Sequence, residues 1–225
     1  MIKAVLIDVD DTILDFNKCA NTAIRKTFAD FSLGFEESYI STFHKINDSL
    51  WRKVEFGEMT RDEVRSVRWG MVFDKLGIDF DSALFEKQFI ANITETAEPM
   101  DNALEVVEYL SKKYTLCVAS NSAYSIQSNR LKKAGMFDFF DKFFLSQEIG
   151  YAKPNPLYYE KCLEELGNIS PSEVFMIGDT LTADIKGGKD AGMHTIWVNP
   201  WGLEAFLDIT PDHTVSSLLE IKDIL

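Results

Sequence analysis

Histidine and cysteine are scarce in this sequence, with three of each in 225 residues. Cys19, Cys117 and Cys162 are odd in number, far apart and never spaced Cys-x-x-Cys. That excludes a zinc module or a disulfide framework and points to reduced thiols in apolar settings. His44, His194 and His213 are scattered, and none is assigned a role. No apolar run approaches the ~20 residues of a membrane span. The N-terminus passes from one lysine through a short apolar run directly to Asp8, unlike a signal peptide. Bases are outnumbered, 23 against 36 acids, for a net charge of −13. That balance argues against nucleic-acid backbones and anionic membranes as partners. The expectation is a soluble, cytoplasmic protein whose acidic surface serves solubility. An anionic small substrate fits only if a metal and a lysine reverse the local field.

What is present suffices for a folded core: 46% of residues are apolar and 12% aromatic. Residues 3–8 form an apolar run closed by an acid, the pattern of a central parallel strand. From Phe16 to Glu95 the period becomes helical, with Gly34, Gly57 and Gly77 as punctuation and Thr60-Arg61-Asp62-Glu63 as a capping box. Helices are expected near 17–31, 36–54, 60–76 and 82–95, with no strand among them, so 16–95 is predicted to be an inserted all-helical domain. Residues 1–15 and 96–225 supply the rest. There, strands at 115–119, 143–145, 174–177 and 195–198 alternate with helices stopped by Gly135, Gly167 and Gly192. The fold class is α/β, a Rossmann-like parallel sheet with right-handed crossovers and a four-helix insertion.

Asp8-Val9-Asp10-Asp11-Thr12 crowds three carboxylates and a hydroxyl at the exit of the first strand. Like charges so close call for a cation, and Mg²⁺ with its preference for oxygen ligands is the simplest one. In an open parallel sheet, ligands bind beyond the carboxyl ends of the strands. Those ends carry Asp8, Asp10 and Thr12 after the first strand and Ser120 and Asn121 after the second. Lys153-Pro154 stands beyond the third strand, and Gly178-Asp179 with Asp184 after the fourth.

In this order and spacing, Asp8-x-Asp10-x-Thr12, Ser120, Lys153-Pro154 and Gly178-Asp179-x-x-x-x-Asp184 resemble the four motifs of the haloacid dehalogenase superfamily. The helical insertion falls where that superfamily places its C1 cap. Asn47-Asp48-Ser49-Leu50-Trp51 and Gly57-x-x-Thr60 are similar to the bacterial house-cleaning pyrimidine 5′-nucleotidases of the same superfamily. The resemblance implies a Mg²⁺-dependent phosphomonoester hydrolase acting on a nucleoside monophosphate. It makes Asp8 the nucleophile of an aspartyl-phosphate intermediate and Asp10 the general acid and base. It makes Asp8, the backbone carbonyl of Asp10, and Asp179 the metal ligands, with Asp184 bound directly or through water. Ser120 and backbone N–H groups near Asn121 would hold phosphoryl oxygens, and Lys153 would neutralise their charge. Asn47 and Trp51, four apart and so on one helix face, become candidates for reading the nucleobase.

Each piece also has an ordinary structural explanation. Strand-end aspartates often cap turns, and Asp11 is left with that role or with orienting the loop. Ser122 reads best as a helix N-cap, Pro154 suits a first helical position, and Trp51 suits a bundle core. Asp179 and Asp184 could flank a helix start. Coincidence at four strand ends is harder to accept than one shared site. Other chemistries remain as alternatives: a phosphosugar mutase or small-metabolite phosphatase such as a phosphoglycolate phosphatase, a haloacid dehalogenase, and a receiver-like signalling domain. Dehalogenation needs neither Asp10 nor a metal. A receiver needs an aspartate after the third strand, where Ser146-Gln147-Glu148 offers none.

Overall fold

The computed structural model describes residues 1–167, 169–205 and 208–225. The chain forms two compact units, Met1–Asp15 with Ala97–Leu225, and Phe16–Thr96. In the first, six strands are laid down as β1 (Ala4–Ile7), β2 (Thr115–Ser120), β3 (Lys142–Leu145), β4 (Val174–Gly178), β5 (His194–Val198) and β6 (His213–Val215). They form one sheet in the order β3-β2-β1-β4-β5-β6. Every neighbouring pair is parallel. This is the Rossmann-like α/β core expected from the sequence. The three-residue β6 is the addition: two of its residues are exposed, so no apolar run announces it.

The second unit contains α1 (Phe16–Asp30), α2 (Ser38–Glu55), α3 (Arg61–Leu76) and α4 (Ser82–Thr94). Aromatic rings fill its centre, with Trp69 4.3 Å from Phe85 and 5.1 Å from Phe43 between ring centroids. The capping box forms as read: the Thr60 hydroxyl accepts from Glu63 N, and the Glu63 carboxylate accepts from Thr60 N at 2.7 Å. Arg68 is buried here, with its Nη2 2.7 Å from Glu86 and its Nη1 2.9 Å from Asn47 Oδ1.

Around the sheet run α5 (Ala103–Ser111), α6 (Tyr124–Lys133), α7 (Ser146–Ile149), α8 (Pro156–Glu165) and α9 (Gly187–Asp190). Both sheet faces are buried. Val5 and Ile7 pack with the layer containing α5, while Ala4 and Leu6 pack with Tyr158, Tyr159 and Cys162 of α8. That explains the unbroken apolar strands. Two boundary readings are corrected. Ser122 caps no helix, because α6 starts at Tyr124 after Ala123. Pro154 precedes its helix, and the proline in the first turn of α8 is Pro156, behind the Asn155 cap. Among the described residues no helix is long and apolar enough to cross a membrane.

Candidate active site

Strand register assembles the site. Ile7 pairs with Val118 on one side and Ile177 on the other. Asp8, Ala119-Ser120 and Gly178-Asp179 therefore leave the sheet at one level. Asp8 N still donates to Ile177 O at 2.9 Å, after which the chain turns tightly. Val9 O accepts from Ile13 N at 3.0 Å and Leu14 N at 2.8 Å, and Asp11 takes a left-handed conformation with φ 57°. Aspartate tolerates that region better than most residues, which gives Asp11 a backbone role in the turn. Thr12, fully buried, donates from Oγ1 to Asp179 Oδ1 at 3.3 Å.

Lys153 enters from the segment after β3 through a cis peptide bond to Pro154. Its Nζ donates to Asp8 Oδ1 at 2.7 Å, Asp184 Oδ1 at 2.5 Å and the Ala119 carbonyl at 2.7 Å. Asp184 reaches this point because Leu181–Lys186 is π-helical, a widened turn often found at functional sites. Its second oxygen accepts from Thr180 N at 3.1 Å. The side chain then lies across Gly178, where a Cβ would stand 2.2 Å from Asp184 Oδ2 and 2.3 Å from its Cγ. Asp184 is pinned at both oxygens and cannot easily yield. Gly178→Ala is therefore expected to cost ~1–3 kcal/mol, read as a lower urea midpoint. Unchanged stability would contradict this packing.

Electrostatically the cluster is overloaded with negative charge. Carboxylate oxygens of Asp8, Asp179 and Asp184 lie within 4.8 Å of one another, against one ammonium. Burial, with Asp184 and Asp10 adding to it and Lys153 opposing, pushes the Asp8 carboxyl from 3.8 up to about 7. Burial and the neighbouring Asp184 and Asp8 also raise Asp179 well above the usual carboxylate range. For Lys153, burial works against the charge, but Asp184 and Asp8 more than offset it and raise its pKa. An all-oxygen donor set with surplus negative charge fits a hard divalent cation.

The fit has a consequence for pH. An acid whose pKa is raised in the folded state binds its proton more tightly there. Its stabilising contribution is full below the unfolded value of 3.8 and is lost as pH rises through about 7. The cation-free protein is expected to lose this contribution between those limits. Added Mg²⁺ should raise Tm more at about pH 7.5 than at about pH 5, since binding favours the ionised carboxylates. A thermal-melt series in chelator and in Mg²⁺ checks this, and a Mg²⁺ shift independent of pH would contradict it.

The other expected residues take up distinct positions. Ser120, 2% exposed, stands at the end of β2. Asn121 uses its side chain to hold Lys153: Oδ1 accepts from Lys153 N at 2.7 Å and Nδ2 donates to Lys153 O at 2.9 Å. Both ends of the Asn121 amide thus serve the Lys153 backbone. In the helical unit, Asn47 is buried against Arg68 and Trp51 is half-buried. Three residues that the sequence reading passed over belong to the site. Trp197 of β5 donates from Nε1 to Asp179 O at 2.7 Å and fixes that backbone. Gln127 and Arg130 of α6 both reach the Asp10 carboxylate.

The parallel sheet thus gathers Asp8, Lys153, Asp179 and Asp184 at its carboxyl edge, where open parallel sheets bind their ligands. A family model described as haloacid dehalogenase-like hydrolase matches residues 2–192, and the chain belongs to that family. The HAD-hydrolase YfnB of Bacillus subtilis is 34% identical over 99% of this chain and 95% of its own. A crystal structure of YfnB bound to magnesium superposes with a TM-score of 0.94, covering 100% of this chain and 98% of that one. The pyrimidine 5′-nucleotidase PynA of Streptococcus pneumoniae is 29% identical over 99% of this chain and 94% of its own. The pyrimidine 5′-nucleotidase YjjG of Escherichia coli is also 29% identical, over 98% and 96% respectively.

Proposed function

We propose that this hydrolase is a Mg²⁺-dependent phosphomonoesterase acting on (deoxy)nucleoside 5′-monophosphates, with pyrimidines preferred. The observation that carries the phosphatase reading is the buried Asp8 carboxylate, fixed by Lys153 and flanked by Asp179 and Asp184. Full-length similarity to PynA and YjjG supports the nucleotide preference. Asp8, Asp179, Asp184 and the Asp10 carbonyl would hold Mg²⁺. The ion supplies neutralisation of the dianionic phosphoryl group, which otherwise repels an attacking carboxylate.

In this reading Asp8 Oδ attacks phosphorus in line and forms an aspartyl-phosphate. Asp10 gives a proton to the departing ester oxygen, then takes one from the water that releases phosphate. Ser120 Oγ–H donates to a phosphoryl oxygen and Lys153 balances its charge. The helical unit serves as the cap that selects the leaving group, with Asn47 and Trp51 as its candidate readers. The work is that of a cytoplasmic enzyme on a small metabolite. A substrate panel ranked by kcat/KM tests the assignment. It should contain nucleoside monophosphates, sugar phosphates and phosphoglycolate. Pyrimidine monophosphates are expected at the top with Mg²⁺ and none should turn over in chelator. Sugar phosphates or phosphoglycolate at the top would replace the nucleotidase reading by a small-metabolite phosphatase.

A further inference from the structure

Arg130 is 2% exposed on α6, and its Nη1 donates to Asp10 Oδ1 at 2.5 Å and to Gln127 Oε1 at 3.1 Å. Gln127, wholly buried, donates from Nε2 to Asp10 Oδ2 at 2.8 Å and to Ser120 Oγ at 3.1 Å. The amide has one allowed orientation here. Only its oxygen can face a guanidinium, so its NH₂ must face Asp10 and Ser120. Ser120 Oγ is then an acceptor within this network, and its own proton is directed away from Gln127. Arg130 thereby fixes three things: one Asp10 oxygen directly, the other through Gln127, and the direction of the Ser120 hydroxyl.

Burying a guanidinium and a primary amide together carries a desolvation cost that an apolar pair would avoid. Packing alone does not require these two residues, three apart on one helix face, to converge on a single carboxylate. The carboxylate they grip is the one that must handle protons in the reaction.

We propose that Arg130 and Gln127 are positioning residues that cradle Asp10 during proton transfer, an inference that rests on the phosphatase reading above. In the first step the Asp8 oxygen–phosphorus bond forms as the phosphorus–ester bond breaks. The electron pair stays on the ester oxygen, which takes the proton of Asp10, and negative charge passes to the Asp10 carboxylate facing Arg130. In the second step water attacks phosphorus and its proton returns to Asp10, while the pair of the Asp8–phosphorus bond returns to Asp8. When the leaving oxygen takes its proton from Asp10, the charge left on that carboxylate meets a guanidinium already in place. A fixed guanidinium there acts on the transition state and so on kcat, not on ground-state binding.

The test compares two esters of different leaving group in Arg130→Met and Gln127→Met. With enzyme in excess and Mg²⁺ present, first-turnover release is timed from 4-nitrophenyl phosphate and from a pyrimidine nucleoside 5′-monophosphate, whose leaving group is an alkyl alcohol. Nitrophenolate departs without a proton, whereas an alkoxide needs one. Loss of the cradle is expected to slow alkyl-ester release by ~10²-fold and nitrophenyl release by less than ~5-fold, with KM changed by less than ~2-fold. A melting curve shows whether each variant is folded, and if Arg130→Met is not, Gln127→Met carries the comparison. Equal losses on both esters, no loss on the alkyl ester, or a change confined to KM would overturn the inference alone. A wild type that releases neither leaving group would overturn the phosphatase reading and this inference with it.

Discussion

Asp8→Asn is expected to reduce phosphate release by at least ~10⁴-fold, the scale of loss when a covalent nucleophile is removed. Asparagine has the shape of aspartate but no carboxylate to attack phosphorus. The substitution also removes one charge from the cluster of Asp8, Asp179 and Asp184. The buried Asp8 is disfavoured as an anion, with its carboxyl raised to about 7 by burial first. The fold should therefore tolerate a neutral residue there, and circular dichroism and the melting temperature should stay close to those of the wild type. Near-normal turnover in a folded Asp8→Asn protein would remove Asp8 from the nucleophile's role.

Lys153→Met is expected to damage both stability and turnover. Lys153 is 2% exposed and is the ammonium bonded to both Asp8 and Asp184. Removing one partner of a buried ion pair leaves the other charge uncompensated, at a cost of ~3–5 kcal/mol. Two carboxylates lose their counter-charge here, so the loss should reach the upper end of that range. Urea denaturation in chelator measures it. Mg²⁺ should restore part of the stability, because a cation replaces the missing charge. It should not restore turnover, which is expected to stay below ~1% of wild type if Lys153 has its proposed role of balancing the phosphoryl charge. A Lys153→Met protein as stable as wild type in chelator would show that the cluster is neutralised by other means.

The parts of this arrangement that sequence reveals are those placed at strand ends. Asp8 follows Ala4-Val5-Leu6-Ile7 at once, and Gly178-Asp179 closes a run beginning at Val174, so a carboxylate interrupts an apolar strand and marks its exit. The parallel core and the helices of the second unit follow from similar contrasts of period. Residues that act from inside a helix leave no such mark. Gln127 and Arg130 sit in Tyr124–Lys133, a segment rich in polar and basic residues whose composition reads as a solvated face. Only the packing of α6 shows both side chains buried. Arg68 is hidden in the same way, because its partners Asn47 and Glu86 lie on two other helices.

Trp197 is legible as a core aromatic in β5, but its hydrogen bond to Asp179 O depends on the register of β5 beside β4. The π-helical turn at Leu181–Lys186 has no sequence signature, although it sets the position of Asp184. Asn121 shows the opposite case: its place at a strand end is readable, yet its side chain serves the Lys153 backbone.

Attack by Asp8 on a phosphomonoester is the central step of the proposed reaction. Mixing the protein with substrate and Mg²⁺, quenching with acid within the first turnover and digesting for mass spectrometry tests this directly. The peptide containing Asp8 is expected to carry one hydroxylamine-sensitive phosphoryl group, absent in chelator and in Asp8→Asn. Phosphate release with no phosphorylated peptide at any quench time, or with the phosphoryl group on another residue, would contradict it.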